Sequence, residues 1–218
     1  MKRTRLISLI LRYLVLALIL LFLLFPLYWS ILTSFKTNMQ AYQFPPTLLV
    51  QNPTVQAYVK LFTENAEFFV YYRNNFLVSG LTAGFTTAAA ILAGYALSRF
   101  HFRWNAMVAG VLYASQMFPI VSRMISLYGL LGRVNLLNTL TGLTLALIAT
   151  MVPFTTMLMS SFFDSVPMDI EEAARIDGAS RMQVMTRVVI PLVKPGLVSV
   201  LIYSFLMAWD DYLHCATL

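Results

Sequence analysis

The groups able to do acid–base chemistry in this chain are few. Nine carboxylates stand among 218 residues, and they include two adjacent pairs, Glu171-Glu172 in a polar stretch and Asp210-Asp211 in an apolar one. Such pairs serve catalysis when a nucleophile or a proton-transfer partner stands with them, and no nucleophile–base constellation accompanies either. The two histidines, His101 and His214, are far apart and lack metal-ligand spacing, so no zinc site is expected. The single cysteine, Cys215, excludes an internal disulfide and a Cys-rich metal site, and reads as an apolar residue within a span. No Gly-x-x-x-x-Gly-Lys-Ser/Thr loop is present, so nucleotide hydrolysis is not expected of this chain. The polar residues therefore read as contacts and as positions inside a membrane, which turns attention to the elements carrying them.

Those elements are apolar. The chain is 59% hydrophobic and 11% charged, with a mean hydropathy of +0.74, against about 25% charged residues in a soluble domain. This composition is that of an integral membrane protein. A spanning helix needs about 20 mostly apolar residues. Runs of that kind place spans at about 6–31, 76–97, 104–121, 140–162 and 197–218. The basic start before the first run is read with an uncleaved anchor, because the run is too long for a signal peptide and no small-residue cleavage site follows. Pro26-Leu27-Tyr28-Trp29 reads as its interfacial end. Residues 36–75 are mixed and polar. Arg123–Asn138 reads as an amphipathic connection lying at the interface, with Leu127, Leu130 and Leu131 on one side.

Positive charge is enriched in cytoplasmic segments. With the N-terminus inside, Lys2, Arg3, Arg5, Arg12, Arg99, Arg103, Arg175, Arg181, Arg187 and Lys194 fall inside, and Lys36, Lys60, Arg73, Arg123 and Arg133 fall outside. The bases, including Arg99 and Arg103, are thus read as topology, not as a nucleic-acid surface. The polar stretch at 171–196, within a loop of 163–196, becomes cytoplasmic. In the second span Gly80, Gly84 and Ala88 recur every four residues, with Ala90 and Gly94 offset, a spacing that lets helices approach closely. Packing within this chain is the simpler expectation; packing against a second subunit is the other.

The polar stretch reads as helix, turn and helix. Pro167 suits a first-turn position, and Asp169, Glu171 and Glu172 suit the positive end of a helix. Gly178 stands where a left-handed terminator is needed. Ser180 and Gln183 form a Ser-x-x-Gln capping box for the second helix. Met182, Met185, Val188 and Val189 give that helix an apolar side, and Pro191 is expected to stop it. Ala173 and Ala174 leave the first helix nearly bare for close approach.

Glu172-Ala173-Ala174, three residues, Gly178, nine residues, and Val188-Val189-Ile190-Pro191 together resemble the EAA loop of binding-protein-dependent ABC importer permeases. The spacing matches throughout, with Val188 standing for Ile and Ile190 for Leu. Glu171-Glu172-Ala173-Ala174-Arg175-Ile176-Asp177-Gly178-Ala179-Ser180 is similar to the carbohydrate branch, the maltose-type second permease subunits. Ser98-Arg99-Phe100, Met117-Phe118-Pro119, Leu136-Leu137-Asn138-Thr139 with Gly142, Pro153-Phe154 and Ala208-Trp209-Asp210-Asp211-Tyr212 extend the resemblance over nearly the whole chain. The resemblance implies an all-α integral membrane fold: one polytopic transmembrane domain over residues 1–218, with five spans present of an expected six and the C-terminal span missing. It implies that Glu171, Glu172, Ala173, Ala174, Asp177, Gly178 and Pro191 form the coupling contact with an ATPase. ATP and magnesium would be held there, and this chain would bind no cofactor or metal. The implied partners are a second permease subunit, ATPase subunits, an extracytoplasmic solute-binding protein and the lipid of a bacterial or archaeal cytoplasmic membrane; nucleic acid is not among them.

Two positions inside spans suggest a translocation path. Asp210 and Asp211 lie about 15 residues into the fifth run, and buried acids in a membrane face a cavity or a partner; a helix end near the outer interface is the simpler reading. Pro153 frees a backbone carbonyl and bends its helix, marking either a gate or an ordinary kink. The expected activity is ATP-driven import of a sugar or oligosaccharide. The same mechanism for glycerol phosphate or a polyol stays open, as, more remotely, does a membrane-embedded enzyme or channel.

Overall fold

The computed structural model describes residues 2–100 and 103–218. Among them every regular element is a helix. This follows from the solvent: a backbone crossing hydrocarbon must satisfy its own hydrogen bonds, and a helix does so within one segment. The chain divides into two compact units, Met1–Val70 and Tyr71–Leu218.

The first unit contains α1 (Lys2–Ser34), α2 (Asn38–Ala41) and α3 (Gln56–Thr63). From Ile7 to Tyr28 the apolar side chains of α1 are exposed, as a lipid-facing helix requires. Pro26, in the stretch read as the interfacial end of the span, lies inside this helix. The helix runs through that proline, and Ser30 Oγ donates to the Pro26 carbonyl at 2.9 Å. After α1 the chain is pinned by Lys36, whose buried ammonium donates to the Thr47 carbonyl at 2.6 Å and lies 4.5 Å from the Trp29 ring.

The second unit holds most of α4 (Ala66–Arg99), then α5 (Asn105–Met117), α6 (Ile120–Arg133), α7 (Leu140–Asp164), α8 (Met168–Ile176), α9 (Arg181–Leu192), α10 (Lys194–Trp209) and α11 (Leu213–Thr217). With 34 residues α4 is about 51 Å long, and it begins ten residues before the expected span. The third run is not one straight span: α5 has 13 residues, about 20 Å, and the chain turns by 101° into α6 at Phe118-Pro119. Among the described residues three helices are long and apolar enough to cross a membrane, or up to five if each bent pair counts as one.

Helix α7 is the centre of this unit. At Gly94 any side chain would meet the α7 backbone at Ser160, and at Gly196 any side chain would enter the Phe162 ring. Those two absences of a Cβ bring α4 and α10 against α7. Beneath the polar hairpin, Ala90, Tyr95, Met159, Phe163, Val184, Val189 and Val200 form one apolar cluster from α4, α7, α9 and α10. Near the other end of α7, Leu131, Ala146 and Leu218 cluster with Leu127, Leu136 and Leu137. Leu130, expected on the same side as Leu127 and Leu131, is exposed.

The fifth run departs from expectation. It is helical only to Trp209, breaks over residues 210–212, and resumes as the short α11. The break falls at Asp210-Asp211, where polar groups compete with the helix backbone for hydrogen bonds.

Candidate functional site

The hairpin α8–α9 is built as its sequence implies up to its second helix. Helix α8 starts after Pro167 and ends at Asp177, and Gly178 takes φ +90°. That left-handed conformation costs a residue with a Cβ about 1–2 kcal/mol. The capping box forms in full: the Ser180 N–H donates to Gln183 Oε1 at 2.8 Å, and the Gln183 N–H donates to Ser180 Oγ at 3.4 Å.

Pro191 does not stop α9, contrary to expectation. Helix α9 continues to Leu192 and turns by 79° into α10 at Val193. A proline inside a helix lacks a donor and crowds the carbonyl one turn earlier. Here residues Val184–Val189 open into a π-helix immediately before it, and the Ile190 N–H donates to the Met185 carbonyl. The wider turn accommodates the ring. The proline that starts the next element is Pro195, in the first turn of α10.

The acid pair at the head of the hairpin divides. Glu172 is exposed, but Glu171 is 7% exposed and turned inward, so it is not part of an outward contact face. Arg99 Nε donates to Glu171 Oε1 at 2.5 Å, and Tyr95 Oη donates to Glu171 Oε2 at 2.8 Å. The same guanidinium donates to the carbonyls of Phe163 and Val166 at 2.8 and 2.9 Å. Arg99 is therefore no mere topology residue: one buried side chain joins α4, the end of α7 and the start of α8. Its fork of five donors explains why arginine fits where lysine would not. Arg181 adds an outer contact, 5.2 Å from the Phe100 ring; His101, read above against metal binding, lies outside the described residues.

The outward side of the hairpin includes Glu172, Ala173, Arg175, Ile176, Asp177, Gly178 and Met182, while Ala174 rests partly on the core. Ile176 is 86% exposed. Met182, expected on the apolar underside with Met185, Val188 and Val189, is exposed instead; Val184 replaces it.

The second acid pair also divides. Asp210 is exposed at the end of α10. Asp211 caps α11: it accepts from the His214 N–H at 2.8 Å and lies 2.9 Å from His214 Nδ1. Pro153 is elsewhere, on a cleft of about 510 Å³ bounded by α5, α6 and α7. Ser115, Gln116, Phe118, Ser122, Arg123, Ser126 and Thr150 share that cleft with Pro153, and neither Asp210 nor Asp211 does. The structure thus does not bring the three expected path residues together. Among the described residues no three His, Cys, Asp or Glu side chains stand as a metal-ligating group.

Residues 80–218 match the family of binding-protein-dependent transport system inner membrane components. The chain belongs to that family. This permease is 35% identical over 202 residues to the inner membrane ABC transporter permease protein YcjP of Escherichia coli, covering 92% of this chain and 72% of that one. It is 34% identical over 190 residues to the sulfoquinovosyl glycerol transport system permease protein SmoH of Agrobacterium fabrum, covering 87% and 66%. To the galactooligosaccharides transport system permease protein GanQ of Bacillus subtilis it is 30% identical, covering 100% and 77%. Its fold matches a bacterial ABC transporter involved in the import of the acidic polysaccharide alginate, with a TM-score of 0.69 at 22% identity, over 96% of this chain and 73% of that one. It is a multi-pass membrane transport component, not a catalytic subunit.

The permease's small-residue stripe gives one further correction. A Cβ added at Gly80 or Gly84 meets nothing within 4 Å, and Ala88 is exposed. The stripe does not pack within this chain, and only the offset Ala90 and Gly94 do. Sequence reasoning missed the cleft at Arg123, having read that residue as topology. The signal was there: Ser122, Arg123 and Ser126 fall within one helical turn, and Ser115-Gln116 interrupts an apolar run.

Proposed function

We propose that this permease carries a sugar or oligosaccharide across the cytoplasmic membrane, driven by ATP hydrolysis in a partner ATPase that grips the hairpin α8–α9 from the cytoplasmic side. The observation that carries the reading is the division of Glu171 from Glu172. The inner acid is locked by Arg99 and Tyr95 to the spanning helices, and the outer acid stands free beside Ala173, Asp177 and Gly178. A force on the outer face then moves α4, α7 and α10 together, because Arg99 and one apolar cluster tie them to it. Small Ala173 lets the partner's groove approach closely, and Glu172 and Asp177 suit basic groups on its wall. Ile176, exposed on the same face, would supply an apolar knob.

Closure of the ATPase shifts the permease only if it binds the hairpin differently in its two states. The hairpin supplies that difference by position alone, so the permease needs no nucleotide. The open face Gly80–Gly84–Ala88 suits the second permease subunit, and an extracytoplasmic binding protein delivers the solute. Sugar is favoured as the solute because relatives are named for sulfoquinovosyl glycerol and galactooligosaccharides. Purification through this chain tests the reading. An ATPase and a solute-binding protein should be recovered, the latter holding a sugar, and Glu172→Lys should lose the ATPase. Recovery of a binding protein loaded with a non-sugar solute contradicts the substrate, and undiminished ATPase recovery with Glu172→Lys contradicts the contact.

A further inference from the structure

We propose that the cleft between α5, α6 and α7 is a subsite for a saccharide bearing an acid group, a carboxylate, sulfonate or phosphate, with Arg123 as the residue that pairs with it. This rests on the sugar reading above and narrows its substrate class.

The cleft's size of about 510 Å³ suits a small ligand, whose sites span roughly 300–1,000 Å³. Three of its hydroxyls have their protons engaged already. Ser115 Oγ donates to the Leu112 carbonyl at 2.7 Å, Thr150 Oγ1 to the Ala146 carbonyl at 2.9 Å and Ser126 Oγ to the Ser122 carbonyl at 3.3 Å. Their oxygens are left as acceptors. Pro153 adds another: lacking an N–H, it leaves the carbonyl of Ala149, also on the cleft, without its helical donor. These few acceptors, with the Gln116 amide beside them, suit a ligand bearing hydroxyls, and the mostly apolar lining, with the exposed ring of Phe118, gives the ligand's C–H faces a surface.

Acceptors alone would take a neutral sugar; Arg123 changes the class. Its Nε is buried without a hydrogen-bond partner, and among the described residues its guanidinium makes no hydrogen bond or ion pair. No Asp or Glu lines the cleft. Arg123 is half-buried with no protein partner for its charge, and a planar acid group with two or three oxygens matches the guanidinium fork. A lipid phosphate offers the same chemistry, so lipid composition must be varied in the test.

The assembled transporter, purified through this chain, is placed in nanodiscs of phosphatidylcholine with or without phosphatidylglycerol. Binding of radiolabelled cellobiouronate and of its neutral counterpart, cellobiose, is measured. The wild type should bind the acid at least about tenfold more tightly, the fold-change expected of a charged hydrogen bond. Arg123→Gln should abolish that preference, while Arg123→Lys should keep part of it. Equal binding of the two sugars, or a preference that survives Arg123→Gln, overturns the proposal. So does a preference lost when phosphatidylglycerol is present, which would assign the site to lipid, and so does binding of neither sugar. Uptake of neutral sugars by the same transporter with its binding protein reports on the wider reading separately.

Discussion

Two arginines separate the two working regions of this permease. Arg99, at the end of α4, has its donors on Glu171, Phe163 and Val166. Arg123, in the first turn of α6, has no partner among the described residues. The first is a tie between helices, complete in the folded chain. The second is incomplete, and its cleft is open. Charge count alone does not distinguish them; the surrounding acceptors do. A satisfied buried arginine marks a place that must not move internally, and an unsatisfied one marks a place waiting for something. The hairpin repeats the contrast on a smaller scale, since adjacent Glu171 and Glu172 point one into the tie and the other out of it.

The contrast is broken most forcefully by Arg99→Ala. That change strands a buried carboxylate and two carbonyls, and loss of one partner of a buried pair costs about 3–5 kcal/mol. Unfolding followed by fluorescence in detergent should show it, with poor assembly as the companion result. Glu171→Gln keeps the shape and removes the charge, so a smaller loss of about 2 kcal/mol is expected in the same assay, and Glu172→Gln should cost nearly nothing. Equal effects at the two positions would erase the inward–outward division. Tyr95→Phe removes one hydrogen bond to Glu171 and should cost about 1 kcal/mol. Arg123→Ala should change stability by less than about 0.5 kcal/mol, because no contact in the fold depends on it. A large loss there would mean that the second arginine is a tie as well.

Much of this was legible in sequence, for reasons visible in particular residues. Apolar runs longer than 20 residues announce spans because membrane and helix geometry leave no other solution. Ser180 with Gln183, and Gly178, announce a turn because each satisfies a local backbone need. Signals that depend on distant partners were illegible. Glu171 and Glu172 look alike in sequence, and only the arrival of Arg99 and Tyr95 from α4, more than 70 residues away, makes one inward. Pro191 misled because its usual effect was absorbed by the π turn before it. Asp210 and Asp211 left a path and a helix end both open because their depth was counted along an unbroken helix; the break at 210–212 voids that count and places them at a helix end. The cleft escaped because its walls come from three helices.

The central claim is that the outward face of the hairpin receives force while its inward face holds it to the spans. Sugar uptake and ATP hydrolysis should be measured together in proteoliposomes carrying the whole transporter, with this chain either wild type or bearing Glu172→Lys and Gly178→Asp. The expected result is a folded assembly whose ATP-driven uptake falls at least about tenfold, the scale of a site-to-site coupling energy. Uptake and hydrolysis both unchanged from wild type would contradict the claim.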